Sequence, residues 1–198
     1  MLLQAFMIDV GTQEVNAYLM ADEETGVGLM VDAGGFDPLI VETAAELGIQ
    51  VTHILLTHLH WDHIEGLARY LEHWPQARVI APAPLESVAE VRIVREGDRI
   101  EIGPFQFEVL CTAGHTPESV SYYCPSAGVC FVGDALFSGS VGGTSSDEQH
   151  AQEIHNLKTR ILPLPDATEL LPGHGPITTV AIERQANPFL QPGFGHTA

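Results

Sequence analysis

Four side chains able to hold a metal ion fall within the stretch Thr57-His58-Leu59-His60-Trp61-Asp62-His63. Neutral imidazole and carboxylate are donors that a borderline divalent ion such as Zn²⁺ prefers. An ion so held can polarise a carbonyl and acidify a water molecule, so the chemistry on offer is metal-assisted hydrolysis. The motif follows the apolar run Ile54-Leu55-Leu56, which reads as the end of a buried strand. Alternate residues leaving a strand point to one side, so His58 and His60 can share one ion. Asp62 and His63 arrive after the backbone has turned and face a neighbouring point, which predicts two adjacent metals. Asp62 also suits a helix N-terminus, because Glu65 follows three residues later with Ile64, Leu67 and Leu71 behind it. Capping and ligation are compatible, and three histidines beside an aspartate weight the reading towards ligation.

Three further stretches share one context: Thr112-Ala113-Gly114-His115-Thr116-Pro117, Phe131-Val132-Gly133-Asp134-Ala135-Leu136-Phe137 and Leu171-Pro172-Gly173-His174-Gly175-Pro176. Each sets one His or Asp on a glycine-flanked turn at the end of an expected strand. Glycine lets the backbone come close to a site, and strand ends hold ligands more rigidly than free loops. His115 and His174 alone would be ordinary loop residues; the shared context makes both candidate ligands.

The elements that must position these groups follow from periodicity and breakers. Residues 2–10, 15–20, 26–31, 51–56 and 77–81 read as strands, with helices over 38–47 and 63–73. Short strands follow at 91–94, 99–102, 105–111, 119–123 and 128–132. A helix over 148–162, a strand at 169–171, a helix over 177–185 and a loose tail from 187 complete the chain. Asp32, before Ala33-Gly34-Gly35, is placed to tie loops together by hydrogen bonds. Two β-rich halves, each with helices, predict an α/β sandwich of two sheets covered outside by helices.

The 198 residues suit a single domain with a substantial core. With 26 acidic against 8 basic residues the net charge is −18, which argues against nucleic acid and anionic membranes as partners and leaves a small-molecule substrate. Cys111, Cys124 and Cys130 lack C-x-x-C spacing and read as small buried residues of a reducing compartment. The N-terminal residues lack a basic region, and no apolar run reaches the roughly 20 residues of a membrane span. These features predict a cytoplasmic protein. Composition and motifs leave its oligomeric state open.

The motifs above, with Asn16-Ala17-Tyr18-Leu19 and Val31-Asp32-Ala33-Gly34-Gly35, resemble the metallo-β-lactamase superfamily, and within it the glyoxalase II-like branch. They run in family order over nearly the whole chain. The resemblance implies a four-layer αβ/βα sandwich with a dinuclear site at one edge. It assigns His58, His60 and His115 to one metal, Asp62, His63 and His174 to the other, and Asp134 to a bridge between them. Both ions are expected to be Zn²⁺, with Fe²⁺ or Mn²⁺ accepted by the same donors. The implied activity is hydrolysis of a thioester or related small acyl substrate, with Asp62 and Asp134 as the catalytic carboxylates. The alternative is a persulfide dioxygenase with one Fe²⁺ on His58, His115 and Asp134.

The resemblance does not extend to glutathione recognition. In the loop from Ser138 to Ser145, Gly143 stands where glyoxalase II-type enzymes carry a basic residue, and Ser145 stands near their aromatic or acidic one. The single domain read over 1–198 is expected to lack the C-terminal helical domain of the longer members. Ser119, Ser138 and Ser140 lack nucleophile-elbow spacing. Tyr122 and Tyr123 alternate, so one is expected in the core and the other at the core or the cleft border. Trp61 either walls the substrate pocket or covers the ligands. His53, His73, His150, His155 and His196 have no motif context and read as surface or helix residues; Lys158 and Arg160 receive no role.

Overall fold

In the computed structural model, residues 1–192 are described. β1 (Leu2–Val10) and β2 (Gln13–Ala21) form a hairpin around Gly11, whose φ of +64° permits the tight turn. β3 (Val27–Val31), β4 (Gln50–Leu55), β5 (Arg78–Ala81) and β6 (Val91–Ile93) complete a mixed sheet, antiparallel from β1 to β3 and parallel from β3 to β6. Parallel neighbours need crossovers. α1 (Pro38–Glu46) joins β3 to β4, capped by the Asp37 carboxylate on the Leu39 N–H; α2 (Trp61–Ile64) and α3 (Leu67–His73) join β4 to β5.

The second mixed sheet contains β7 (Arg99–Ile102), β8 (Phe105–Cys111), β9 (Val120–Cys124) and β10 (Val129–Gly133). A small hairpin, β11 (Leu136–Phe137) with β12 (Ser140–Val141), follows β10. α4 (Asp147–Asn156) then runs into one π turn, Leu157–Ile161, closed by Leu162 N–H on Leu157 O at 2.9 Å. β13 (Glu169–Pro172) pairs parallel with β10, β14 (Thr178–Thr179) pairs with β13, and α5 (Val180–Ala186) ends the layer.

Alternation along the strands makes the four layers. In β2, Tyr18 and Met20 face the space between the sheets, where they meet Phe107, Tyr122 and Phe131; Ala17 and Leu19 face Ile40, Leu67 and Tyr70 of the helices. On the far side, Leu110, Cys130 and Leu170 pack under Leu157, Ile161 and Val180. Full burial of such side chains stabilises by roughly 1.5–3 kcal/mol each, so three contiguous clusters hold the frame independently of the site.

The expected α/β sandwich is thus the observed fold, with local differences. The helix expected over 63–73 is two helices, because Gly66 leaves the ladder to donate its N–H to Ala33 O at 3.0 Å. A Cβ there would stand 2.6 Å from Gly34 O. The β11–β12 hairpin was not expected; two-residue strands carry no periodicity. The last helix begins after Thr179, its N-cap, rather than at 177. Residues 187–190 are not loose: Asn187 is fully buried, donates to Ser140 O and Glu183 Oε2, and opens a 3₁₀ turn that seats Leu190. Tyr122 and Tyr123 are both buried, so neither borders the cleft.

Candidate metal centre

All seven expected ligands converge at one edge of the sandwich. β4 delivers His58 and His60, and α2 delivers Asp62 and His63. Because β10 and β13 run parallel, their C-terminal ends lie side by side, which brings Asp134 and His174 together; Gly173 N–H bonds Gly133 O at 3.0 Å. The loop between β8 and β9 brings His115. Bonds across the sheets fix the register: Val120 N–H to Thr57 O at 3.0 Å, Tyr122 hydroxyl to Leu56 O at 2.8 Å, and Tyr18 hydroxyl to Pro172 O at 2.7 Å. Asn16 adds its N–H to Gly173 O and its Nδ2 to Pro172 O and Gly175 O.

Asp32 ties the loops, as expected. Its φ of +54° is the sole positive φ of a non-glycine residue among the described residues. Oδ1 accepts from Thr57 N–H at 2.9 Å, and Oδ2 accepts from the Thr57 hydroxyl at 2.9 Å and from His63 Nδ1 at 3.1 Å. Asp62 does not cap α2: His60 occupies the N-cap without a side-chain bond, and Asp62 lies within the first turn with Oδ2 3.5 Å from His174 Nε2.

The ring orientations share one logic. Carbonyls only accept, so His115 Nδ1, 2.7 Å from Gly143 O, and His174 Nδ1, 2.6 Å from Glu14 O, carry the proton. Asp32 imposes the same tautomer on His63. Thr57, whose hydroxyl proton is committed to Asp32, accepts from His58 Nδ1 at 3.1 Å. Four rings therefore turn Nε2 inward, and the outer partners fix that direction. They meet the Asp134 carboxylate: Oδ1 lies 3.3 Å from His63 Nε2, and Oδ2 lies 3.3, 3.5 and 3.9 Å from His174, His115 and His58 Nε2.

Burial and charge push these groups apart. Burial, then the neighbouring His63, lowers His58 to about 2. Burial acts the same way on His63, but Asp32 and Asp134 reverse it and raise the ring to about 10. Burial opposes ionisation of Asp134, yet the His174 and His63 rings that approach it hold its carboxyl well below the usual range.

The donor set fits divalent ions. Three groups place one donor atom per residue within 4.8 Å of one another: His58, His60 and His115; His58, His63 and Asp134; Asp62, His63 and His174. His58 Nε2, His63 Nε2 and Asp134 Oδ1 are buried without a hydrogen-bond partner. Buried polar atoms cost free energy unless paired, and mixed nitrogen and oxygen donors suit Zn²⁺ or Fe²⁺.

Some supporting residues carry no sequence signal. The Glu14 and Gly143 carbonyls act through the backbone. Glu153 is fully buried, and burial lifts its carboxyl to about 8. Gly142 is wedged between them, since a Cβ there would stand 2.8 Å from Glu153 Oε1 and 2.9 Å from His115 Cβ. In the sequence Glu153 is one acidic residue of a helix.

Histidines outside the motifs stay outside the centre. His53 is half-buried with Nδ1 on Thr52 Oγ1 at 2.9 Å, His73 stacks on Phe36, His150 lies near Phe189, and His155 is exposed; His196 lies outside the described residues. His53→Ala should therefore leave metal content unchanged by elemental analysis, and loss of metal would contradict the ligand set.

An αββα sandwich with a His/Asp centre at one edge defines a class of metal-dependent proteins. The chain belongs to the metallo-beta-lactamase superfamily, whose family model matches residues 10–174. Bacillus subtilis (strain 168) has a relative named a probable metallo-hydrolase, YqgX, 37% identical over 91% of this chain and 94% of its own length. The hydroxyacylglutathione hydrolase GloC of Haemophilus influenzae is 28% identical over 93% of this chain and 96% of its own. A solved structure, TTHA1623 in a di-iron-bound form, superposes with a TM-score of 0.73 and 31% identity, over 93% of this chain and all of that one.

Proposed function

We propose that this chain is a dinuclear metallo-hydrolase that cleaves a thioester or related small acyl compound with water, giving a carboxylic acid and a thiol or alcohol. The observation that carries this reading is the convergence of seven donor side chains, four of them rings whose outer nitrogen is held by another residue. His58, His60 and His115 would hold one ion, Asp62, His63 and His174 the other, and Asp134 would bridge them. Bound there, the two ions would supply Lewis acidity to the acyl carbonyl and lower the pKa of water to about 7. Asp62 would orient the attacking water, and Asp134 would keep both donor sets in register. Zn²⁺ is the ion we favour, with Fe²⁺ or Mn²⁺ compatible with the same donors.

A cytoplasmic address belongs to the same proposal: Cys111, Cys124 and Cys130 are free. Among the described residues no helix is long and apolar enough to cross a membrane.

Metals and turnover are measured together, by elemental analysis of the purified protein and thioester hydrolysis in the same preparation. Two metals with turnover are expected; one iron per chain with oxygen uptake would replace this reading by an oxygenase. Ligation also predicts proton release. At pH 7 the metal-free protein carries a second ring proton on His63, raised to about 10, and no second ring proton on His58. Metal uptake should release about one proton or more, and affinity should fall as pH falls, because ligands must be deprotonated. Calorimetry in two buffers of different ionisation enthalpy reads this number, and zero release would remove His63 from the ligand set.

A further inference from the structure

The space in front of the centre is a cavity of ≈ 580 Å³. Beyond the ligands themselves it is lined by Gln13, Trp61, Phe137 and Gly143. Trp61 is 57% exposed although it sits between two ligand positions. Its indole lies over the hairpin turn, where a Cβ on Gly11 would stand 3.2 Å from the ring. An exposed indole so placed walls the cavity rather than covering the centre. Phe137, on β11, forms another wall with its ring centroid 6.0 Å from that of His174. Gly143 leaves open space where a side chain would reach into the cavity.

The cations lie elsewhere. Arg69 covers Phe36, Arg160 pairs with Glu96, and Arg184 pairs with Asp166. Arg78 and Arg92 line a separate cavity beside β5 and β6, and Arg92 bonds Arg99 O. No Lys or Arg lines the cavity at the metal centre among the described residues. A net charge of −18 adds long-range repulsion of anions.

Resting on the hydrolase reading above, we propose that this cleft selects uncharged thioesters or esters carrying a flat apolar group. That group packs on the Trp61 indole with Phe137 as the opposing apolar surface. An aromatic face binds such a group through buried area and ring stacking, and it offers nothing to a carboxylate. A thiol carrier with free carboxylates, such as glutathione, would find no Lys or Arg in the cleft to hold them, and two bound divalent ions would offset only four of the eighteen net negative charges.

Two probes separate the cases: the uncharged phenylacetyl thioester of N-acetylcysteamine, and S-lactoylglutathione, which is anionic. With the metal-loaded protein at about 10 mM ionic strength, where screening reaches roughly 30 Å, kcat/KM should be about tenfold or more higher for the uncharged probe. Added salt should raise kcat/KM for the glutathione thioester and leave the other flat. Trp61→Ala should raise KM for the uncharged probe about tenfold, with kcat changed far less, and Trp61→Phe should restore most of the loss. A thioether analogue of the uncharged probe, which cannot be hydrolysed, should quench the emission of Trp61 while leaving that of buried Trp74.

Preference for the glutathione thioester, or an unchanged KM in Trp61→Ala, would overturn this inference and leave the hydrolase reading intact. Quenching by the thioether without turnover of either thioester would support the cleft's selectivity and sink the hydrolase reading instead. Absence of both quenching and turnover would overturn both.

Discussion

Asp134→Ala is expected to strip both metal positions and abolish hydrolysis while the sandwich stays folded. The Asp134 carboxylate is the acidic group that His58, His63, His115 and His174 all approach, at 3.3 to 3.9 Å. Its removal leaves four inward Nε2 atoms without their common anion. Groups that only orient a metal ligand typically cost about 10–100-fold in affinity or activity when lost. A carboxylate shared by both donor sets should exceed that, so a fall of roughly a thousandfold or more in kcat/KM is the expected scale. The fold should persist because Asp134 belongs to none of the three apolar clusters. Metal analysis, thioester turnover and circular dichroism on the same variant read the three parts separately. Full activity would refute the bridging role.

Gly173→Ala should be nearly as damaging, although it deletes no ligand. An added Cβ would collide with Asp134 Oδ1 and come within 2.5 Å of His63 Cε1. Neither neighbour can yield freely: His63 is pinned by Asp32 behind it, and Gly173 itself is bonded through N–H to Gly133 O and through O to Asn16 N–H. The strain must move Asp134 or the β13 loop that carries His174. A displacement of an ångström in a catalytic group can cost about a hundredfold in rate, which sets the expected loss. Metal content should fall with it. By contrast Gly175→Ala, whose added Cβ meets nothing within 4 Å, should keep its metal despite a φ of +73°. Equal metal content in the Gly173 and Gly175 variants would show that the close approach does not support the site.

Much of the fold was legible because its strands are long or fully apolar and its turns carry glycine. β1 from Ala5 to Val10 and β8 from Phe105 to Val109 alternate cleanly, and Gly11, Gly48 and Gly103 mark turns at positive φ. What escaped was set by contacts remote in sequence. Gly66 breaks a helix that periodicity would continue, because it docks on Gly34. Asn187 to Leu190 is seated by a buried amide reaching Ser140. The β11–β12 hairpin is too short to carry a pattern, and Tyr123 is buried only because α4 and its π turn cover the outer face of the second sheet.

The same division runs through the candidate centre. Types and spacing in the sequence determined which side chains could hold metals: a dense His/Asp motif after a strand, and three glycine-flanked turns with one donor each. Those are local properties of the chain, legible without coordinates. The tertiary structure decided where each ring points, through Asp32, Thr57 and the carbonyls of Glu14 and Gly143, since a tautomer depends on whatever partner folding brings to the other nitrogen. It also decided that Trp61 faces the cavity and that the cations do not, because exposure and charge placement are set by how two sheets and their helices pack.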